Sequence, residues 1–397
     1  MRIGDFCKTN LCAYSEKEKW GEIHYLDTGN ITRGKVAEIQ TLVPGIDTIP
    51  SRARRKVQVN DIIYSTVRPN QRHYGIIKAH DPNMLVSTGF VVITVDTRIA
   101  DPDFIYYFLT QDDVVETLEA IGEQSTSAYP SIKPVDIENL EIELPPLEAQ
   151  KAAGAMLRQL DRKCAVNDEI NDNLQQQLRA IFMERFTNNP VLESIQQVPL
   201  SELCSVVTKG TTPTTLGKPF VDRGINFLKA ESILDNHSLD KGKFAHIDEE
   251  THDMLKRSVI YAGDIVFTIA GTLGRFALID GDILPANTNQ AVAIIRADKG
   301  KISPEYLYAC FIGNWHNDYY SKRVQQAVQA NLSLTTIKSL PIPVLTQDEM
   351  VSYMALISPI IKMLKQNEME NERLAALRDT LLPRLMSGEV DVSNIDI

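Results

Sequence analysis

Asp61-Ile62-Ile63-Tyr64-Ser65 is the stretch that decides the fold, because Asp264-Ile265-Val266-Phe267-Thr268 repeats its pattern about 200 residues later. Other segments recur at nearly the same spacing, and the matching pairs are Ile3–Cys7 with Leu200–Cys204, Ser87–Ile93 with Thr288–Ile294, and Pro102–Tyr106 with Pro304–Tyr308. In a chain of 397 residues, such a period means that one structural design is present twice.

Each copy begins with short apolar and β-branched runs that are separated by turn residues, a pattern typical of strands. Asp61–Val67 and Phe90–Val95 are examples in the first copy, and Asp264–Ala270 and Ala291–Arg296 are examples in the second. A stretch rich in aromatic residues then predicts a helix in each copy, over Asp103–Ala120 and Pro304–Gln329. Strands followed by helices predict an α+β domain.

Each copy ends in a segment that loses its glycines almost entirely and gains Leu, Gln, Glu, Lys and Ala. Leu147–Phe186 and Gln347–Met386 therefore predict two long helices, each of about 40 residues and about 60 Å. Pro383 should end or bend the second helix. Both helices carry a seven-residue spacing in the same phase, at Leu160, Asn167, Leu174 and Ile181 and at Ile360, Asn367, Leu374 and Leu381.

These two helices should pack along an apolar seam as a coiled coil. If a pseudo-twofold axis relates the two copies, the helices run antiparallel and their midpoints meet near Asn167 and Asn367. We expect these two asparagines to face each other and to fix the register of the helices. The alternative is that both asparagines face solvent.

Charge and composition argue against several classes of protein, among them proteins that simply coat DNA and proteins that span a membrane. The net charge of -11 argues against a protein that simply coats DNA, yet a basic cluster lies between Arg52 and Lys78. Five cysteines show neither zinc spacing nor a disulfide pattern, which favours a reducing cytoplasm. No apolar stretch approaches the roughly 18 residues that a membrane span requires. We therefore expect a cytoplasmic protein without a membrane partner.

Two polar loops have the residue types that contact DNA. In the second copy, the turn Lys209-Gly210-Thr211-Thr212 combines a charge, hydroxyl donors and a glycine that allows close backbone approach to a phosphate. In the first copy, Thr66–His73 contains arginine, asparagine and glutamine, the side chains that read guanine and adenine. Ordinary solvated turns are the alternative for both loops.

Signs of a catalytic site are missing from the sequence. The seven histidines have no metal-ligand spacing, and no nucleophile stands in a recognisable triad setting. Gly271–Arg275 lacks the Gly-Lys-Ser/Thr ending of a nucleotide-binding loop. We therefore predict neither a metal site nor catalysis by the chain itself.

The order of motifs in the second copy resembles the target-recognition domains of Type I restriction-modification specificity subunits, the HsdS family. The motifs are Val207–Pro213, Ile225–Lys229, Ala262–Val266 and Gly271–Arg275. Leu144–Gln150 resembles the segment that opens the long helices of that family, and Leu377–Glu389 resembles its C-terminal helix end. The first copy departs from the family because no Lys-Gly-Thr-Thr-Pro turn follows Cys7.

The resemblance implies an α+β fold with two tandem mixed α/β target-recognition domains, related by pseudo-twofold symmetry and joined by two long antiparallel helices. The predicted boundaries are residues 1–146 for the first domain, 147–187 for the first spacer helix, 188–346 for the second domain, 347–390 for the second helix and 391–397 for a tail.

The resemblance further implies a non-enzymatic subunit that reads an asymmetric, two-part site in double-stranded DNA, with the helices setting the gap. Methylation subunits, expected in two copies, would bind S-adenosylmethionine and methylate adenine. Restriction subunits would use ATP and cleave, so this chain is expected to bind no cofactor. The alternative function is a coiled-coil adaptor between proteins that does not read DNA, and salt-dependent DNA binding discriminates the two.

The repeat and the resemblance together define the candidate DNA-binding residues. In the first copy they are Arg52, Arg54, Arg55, Arg68, Asn70, Gln71 and Arg72. In the second copy they are Lys209, Gly210, Thr211, Thr212, Lys229, Thr272, Arg275, Asn289 and Gln290.

Overall fold

The computed structural model describes residues 1–79, 81–125, 129–186, 195–315, 319–320, 331–390 and 392. The chain divides into two compact units: unit 1 comprises Met1–Ala165 with Glu372–Ile397, and unit 2 comprises Val166–Asn371. Each unit contains one copy of the repeat together with part of each long helix.

Unit 1 is built on three small sheets. Its strands are β1 (Cys7–Thr9), β2 (Ile23–Leu26), β3 (Ile31–Thr32), β4 (Lys35–Val36), β5 (Gln40–Leu42), β6 (Ala53–Lys56), β7 (Ile62–Ser65), β8 (Tyr74–Ile76), β9 (Met84–Ser87) and β10 (Phe90–Val95). The strand orders are β1-β10-β7-β8, β5-β2-β9-β6 and β3-β4. All neighbouring strands are antiparallel except β2 and β9, which are parallel.

Unit 2 repeats this arrangement. Its strands are β11 (Gln197–Pro199), β12 (Cys204–Lys209), β13 (Ile225–Leu228), β14 (Ala245–Ile247), β15 (Val259–Ile260), β16 (Asp264–Thr268), β17 (Phe276–Leu278), β18 (Ala286–Thr288), β19 (Val292–Ala297) and β20 (Pro341–Pro343). The orders β12-β19-β16-β17 and β14-β13-β18-β15 match the two four-stranded sheets of unit 1 strand for strand. The parallel pair is again the equivalent one, β13 with β18.

The central strands pair equivalently in both units when β10 is matched to β19 at an offset of 202 residues, one residue more than the predicted match of Ser87–Ile93 with Thr288–Ile294. Ile62 of β7 pairs with Ile93 of β10, and Ile265 of β16 pairs with Ile295 of β19. All four isoleucines are buried, because β-branched side chains on adjacent strands pack together on one face of each sheet. The predicted duplication is therefore confirmed in its strand order and in its pairing.

The helices are mostly short, and two are very long. They are α1 (Pro102–Thr110), α2 (Asp112–Glu123), α3 (Pro134–Glu138), α4 (Leu147–Phe186), α5 (Leu200–Leu203), α6 (Glu249–Met254), α7 (Pro304–Ile312), α8 (Leu334–Lys338) and α9 (Gln347–Met386). The helix bounds Leu147–Phe186 and Gln347–Met386, predicted from the composition, are confirmed. Pro383 does not end α9, which continues to Met386.

The helical stretches predicted after the sheets need correction. In unit 1 the predicted single helix is two helices, because Gln111 adopts an extended conformation (φ −60°, ψ 146°) between α1 and α2. In unit 2, α7 ends at Ile312 and is followed by Asn314 in the left-handed region (φ 58°). Residues 316–318 and 321–329 of that prediction lie outside the described residues.

Within each unit the two long helices run antiparallel and pack against the sheets. In unit 1, Leu157 of α4 and Leu382 of α9 belong to the core that also contains Phe104 of α1. In unit 2, Phe182 of α4 and Ile357 of α9 join the core around α7. Along α4 from Asn167 to Asn171, the partner on α9 moves back from Asn371 to Asn367, as in an antiparallel coiled coil.

The register of the asparagines differs from the expectation by about one helical turn. Asn167 Nδ2 donates to Asn371 Oδ1 at 2.9 Å and to Glu370 Oε2 at 2.8 Å, while Asn367 Nδ2 donates to Asn171 Oδ1 at 2.8 Å. The predicted direct contact between Asn167 and Asn367 is therefore wrong.

Apolar packing explains this register. Leu174 and Leu364 are both buried in the core of unit 2, and Asn171 Nδ2 donates to the carbonyl oxygen of Leu364 at 3.4 Å. This alignment sets Asn171 against Asn367. Asn167 is 1% exposed, so it is a buried residue of the seam and does not face solvent. In the described part of the chain, no helix is both long and apolar enough to span a lipid bilayer.

Candidate nucleic-acid interface

In unit 2, the turn between β18 and β19 brings together several of the candidate DNA-binding residues. The amide of Thr211 donates to the carbonyl oxygen of Thr288 at 3.2 Å, and the Thr212 hydroxyl donates to the side-chain oxygen of Gln290. The Asn289 side chain accepts from the amide of Ala291 at 3.1 Å and so shapes the turn. The end of β12 and the β18–β19 turn thus form one polar surface, which we call the β12-end surface.

The structure explains the glycine at position 210 by a contact within the protein, and not by the expected approach of the backbone to a phosphate. A Cβ atom at this position would lie 1.9 Å from the carbonyl oxygen of Thr288, and the residue is buried. Its amide donates to the carbonyl oxygen of Val292 at 3.3 Å. The glycine is therefore required by the close approach of two segments of the protein itself, and its exposed neighbour Lys209 carries the charge.

Two other candidates in unit 2 already have protein partners. The Arg275 guanidinium binds both carboxylate oxygens of Asp235 at 2.6 Å and also donates to the carbonyl oxygen of Ile233. The Lys229 ammonium lies 5.0 Å from the centre of the Phe220 ring and 3.9 Å from Glu231. A bidentate pair fixes the geometry of Arg275, so this side chain stabilises its loop. Thr272 is exposed, and its carbonyl oxygen accepts from Thr268 Oγ1 at 2.5 Å.

In unit 1, the equivalent turn is Thr88–Gly89, and the basic segment meets it. The amide of Thr88 donates to the carbonyl oxygen of Arg52 at 2.8 Å, and Arg55 Nη2 donates to the carbonyl oxygen of Thr88 at 3.3 Å. Thr66, at the start of the polar loop, donates its amide to the Gly89 carbonyl at 2.8 Å. The structure therefore brings both basic segments of unit 1 to the same turn.

Burial distinguishes the arginines of this segment. Arg52 is exposed, and Arg54 and Arg55 lie half-buried on β6. Burial lowers the pKa of Arg55, and its Nη1 atom is buried without a hydrogen-bond partner in the described part of the structure. Arg55 therefore holds an unused donor beside the Thr88–Gly89 turn.

The loop that carries Asn70 and Gln71 is held by its backbone and by its flanking arginines. Pro69–Gln71 form a 3-10 turn, and Arg68 and Arg72 on either side have φ angles of 49° and 57°. The Arg68 guanidinium stacks 4.5 Å from the centre of the Tyr129 ring, and Arg72 pairs with Asp112 at 2.7 Å.

This loop leaves the two amide side chains available for binding. The amide of Asn70 donates to Glu119 Oε2 at 3.0 Å, which ties the loop to α2. The side chains of Asn70 and Gln71 are exposed. They project from a fixed backbone, as side chains that read base edges require.

Sequence reasoning missed Arg257, which lies at the β12-end surface. Its Nη2 donates to Thr211 Oγ1 at 3.1 Å. No signal in the sequence marks this position, because the neighbouring strand β15 has only two residues, too few for a recognisable strand pattern. Among the described residues, no group of three or more His, Cys, Asp or Glu side chains is arranged to hold a metal ion.

A duplicated mixed α/β domain, carried on two long antiparallel helices and with basic loops at equivalent turns, defines the class of two-domain DNA-recognition proteins. The family described as the Type I restriction modification DNA specificity domain matches residues 1–176 and 193–374. The chain therefore belongs to this family, and DNA sequence specificity is its role in a Type I restriction-modification system.

Individual relatives are similar over most of the chain. The HindI specificity subunit of Haemophilus influenzae is 22% identical, with 98% of each chain covered. The MjaVIII specificity subunit of Methanocaldococcus jannaschii is 20% identical over 79% of this chain and 76% of the relative. The crystal structure of the Type I S subunit from M. genitalium covers 97% of this chain and 95% of its own, with 16% identity and a TM-score of 0.52. This last likeness concerns the fold.

Proposed function

We propose that the chain reads an asymmetric, two-part site in double-stranded DNA, one part with each recognition domain. The long helices act as a ruler that sets the gap between the two parts. Helices of about 60 Å match a separation of one to two turns of DNA, each about 34 Å. The reading takes place where the host DNA lies, in the cytoplasm.

The observation that carries this proposal is the duplication of the sheets together with the difference between their loops. Both units have the same strand orders and the same central turn. In unit 1 that turn contacts Arg52, Arg55 and Thr66, which begins the loop of Asn70 and Gln71, whereas unit 2 has Lys209, Thr211 and Gln290 there. One scaffold with two sets of polar side chains suits two different half-sites.

Partner subunits supply the chemistry in this proposal. Methylation subunits bind S-adenosylmethionine and methylate adenine, and restriction subunits use ATP to cleave. In unit 2 the outer face of α9 supports docking of a methylation subunit, because Leu356 and Met363 are 59% and 46% exposed on the same side of the helix. The chain itself binds DNA and neither cofactor.

Exchange of one recognition domain tests the proposal. The chain is co-expressed with its methylation subunits, and methylated adenines are mapped in the host DNA before and after residues 1–146 are replaced by those of another specificity subunit. We expect a two-part motif in which one half changes and the other half and the gap remain. The matched control replaces residues 188–346 and should change the other half. A methylated motif that is unchanged by both exchanges would contradict the proposal and favour the alternative function, an adaptor between proteins.

A further inference from the structure

Arg257 is an exposed cation whose position the repeat makes equivalent to that of Arg54, because Asp61 and Asp264 match at an offset of 203 residues. In unit 1, Lys56 and Arg55 of β6 pair with Leu85 and Val86 of β9, and Arg54 precedes them. In unit 2, Val259 of β15 pairs with Asn287 of β18, so Ser258 stands against Thr288 and Arg257 precedes it. Because Tyr25 pairs with Leu85 and Phe227 pairs with Asn287 in the equivalent parallel strands, Leu85 and Asn287 match, and each domain places an arginine at the same corner of its sheet.

The surroundings of Arg257 consist of hydrogen-bond donors. Thr211 Oγ1 accepts the bond from Arg257, so its own hydroxyl hydrogen is free to point outward. Gln290 accepts from Thr212 through its oxygen, which leaves its amide group as a donor. Lys209 ends β12 with an exposed ammonium group, and the Lys256–Ser258 turn packs against this strand.

The positive charges here are not neutralised by the protein. Among the described residues, neither Lys209, Lys256 nor Arg257 forms an ion pair with a carboxylate. Arg275 and Lys218 in the same unit do so, with Asp235 at 2.6 Å and Glu250 at 2.8 Å. A set of free donors and uncompensated charges is complementary to a phosphate, whose oxygens only accept.

We propose that Arg257, together with Thr211 and Lys209, binds a phosphate of the DNA backbone at the edge of the half-site read by unit 2. This inference rests on the proposed function and adds a residue and a contact type to it. A phosphate contact fixes the position of the domain on the duplex and carries no sequence information itself.

The test uses the full chain in complex with its methylation subunits and a duplex that contains the methylated site. Dissociation constants are measured for wild type, R257Q and K299Q over about 50 to 200 mM salt. Lys299 is the matched control, because it is an exposed cation near the opposite end of the same strand pair, where Cys204 pairs with Ala297. We expect R257Q to lower the affinity about tenfold and the salt slope by about one. K299Q should change neither quantity.

A second variant separates a phosphate contact from base reading. R257K keeps the charge, so it should retain the salt slope of the wild type and the same methylated motif. An R257Q complex with the wild-type affinity and slope would overturn the phosphate contact alone. A wild-type complex that does not prefer its site over a scrambled duplex would instead overturn the proposed function. Equal unfolding midpoints for all variants ensure that lost binding reflects the contact.

Discussion

The two units attach the long helices to their sheets with opposite chemistry. In unit 1, Asp161 of α4 accepts hydrogen bonds from Tyr107 of α1 and from Arg378 of α9, both at 2.7 Å. The repeat places Ile361 and Leu178 at the positions of Asp161 and Arg378, and in unit 2 both are buried in the apolar core. The same helix arrangement is thus held by a polar triad, the three hydrogen-bonded side chains Asp161, Tyr107 and Arg378, in unit 1 and by apolar packing in unit 2.

This difference shows that the repeat preserves shape and not interaction type. Burial alone would lower the pKa of Arg378. The charge of Asp161 outweighs the effect of burial, so the pKa of Arg378 lies above its ordinary value. Such a triad depends on all its members, because the loss of one leaves the others buried without a partner. The apolar attachment tolerates small losses in proportion to the volume removed.

The largest effect is expected from the apolar attachment of unit 2. Phe182 is 1% exposed and packs against Phe186 and Trp315, with ring centres 4.6 and 5.8 Å away. Phe182→Ala should lower the free energy of unfolding of unit 2 by about 4 kcal/mol, since it removes an aromatic side chain from a closed core. The chain has two tryptophans, Trp20 in unit 1 and Trp315 in unit 2, so urea unfolding followed by fluorescence in a Trp20→Phe background reports on unit 2.

The matched control for this prediction is the repeat-equivalent residue of unit 1. Leu382→Ala should lower the unfolding midpoint seen by Trp20, in a Trp315→Phe background, by a smaller amount. Leu382 is 8% exposed and has fewer atoms to lose. Equal losses in both units would contradict the idea that unit 2 depends more on apolar packing.

A smaller but more specific effect is expected from the polar triad. Asp161→Ala should lower the free energy of unfolding of unit 1 by about 3 kcal/mol, because Arg378 and Tyr107 lose their shared acceptor. Partial exposure of the pair, 33% for Asp161 and 25% for Arg378, keeps the loss below that of a fully buried ion pair. Urea unfolding followed through Trp20 measures this loss.

Exchange of the chemistry between units sharpens the comparison. The triple variant Asp161→Ile, Arg378→Leu and Tyr107→Phe gives unit 1 the apolar attachment of unit 2. We expect its stability to lie within about 1 kcal/mol of wild type, since replacing a whole buried polar group by hydrocarbon is often neutral. A triple variant as unstable as Asp161→Ala alone would show that the polar geometry itself is required.

The sequence was sufficient for the features that depend on periodicity. Alternating apolar runs located the central strands β7, β10, β16 and β19, and the near absence of glycine located both long helices. The two-residue strand β15 and the break at Gln111 were not predictable, because each depends on contacts with distant segments. The asparagine register was missed for the same reason, since Leu174 and Leu364 fix it across the seam.

The candidate interface was predictable only as a set of residue types. The sequence identified the turn at Lys209 and the loop at Asn70, which both remain predicted DNA contacts. It could not reveal that Arg275 is held by Asp235, because that partner lies in another loop. Nor could it reveal that Gly210 is needed by the backbone of Thr288. Such assignments require the neighbours that only the folded chain provides.

Unit 2 also contains an acid-sensitive group. His237 stacks on Phe276 with ring centres 3.9 Å apart, and burial lowers its pKa to about 4. The folded state therefore favours the neutral ring, and its stability contribution is complete above the unfolded pKa of about 6.5 and is lost as the pH falls towards 4. We expect unit 2 to lose about 1 to 2 kcal/mol between pH 7 and pH 5.

The His237 prediction is tested with a variant that suits the local backbone. His237 has a φ of 65°, a conformation that asparagine tolerates, and His237→Asn removes the titrating ring. The Trp315 unfolding midpoint of this variant should depend less on pH than that of the wild type. An equal pH dependence in both proteins would assign the acid sensitivity to other groups.

The smallest effect on stability is expected at the asparagine seam. Asn167→Leu removes two hydrogen bonds but also removes a side-chain oxygen that is buried without a partner in the described structure. These contributions oppose each other, so the unfolding free energy should change by less than about 1 kcal/mol. The register should become less specific, because a leucine packs equally well after a shift of one heptad. Such a shift moves the helices by about 10 Å, or about three base pairs. Mapping of methylated adenines should then detect a second motif whose gap differs by that amount, whereas a single unchanged gap would show that Leu174 and Leu364 hold the register without the asparagine.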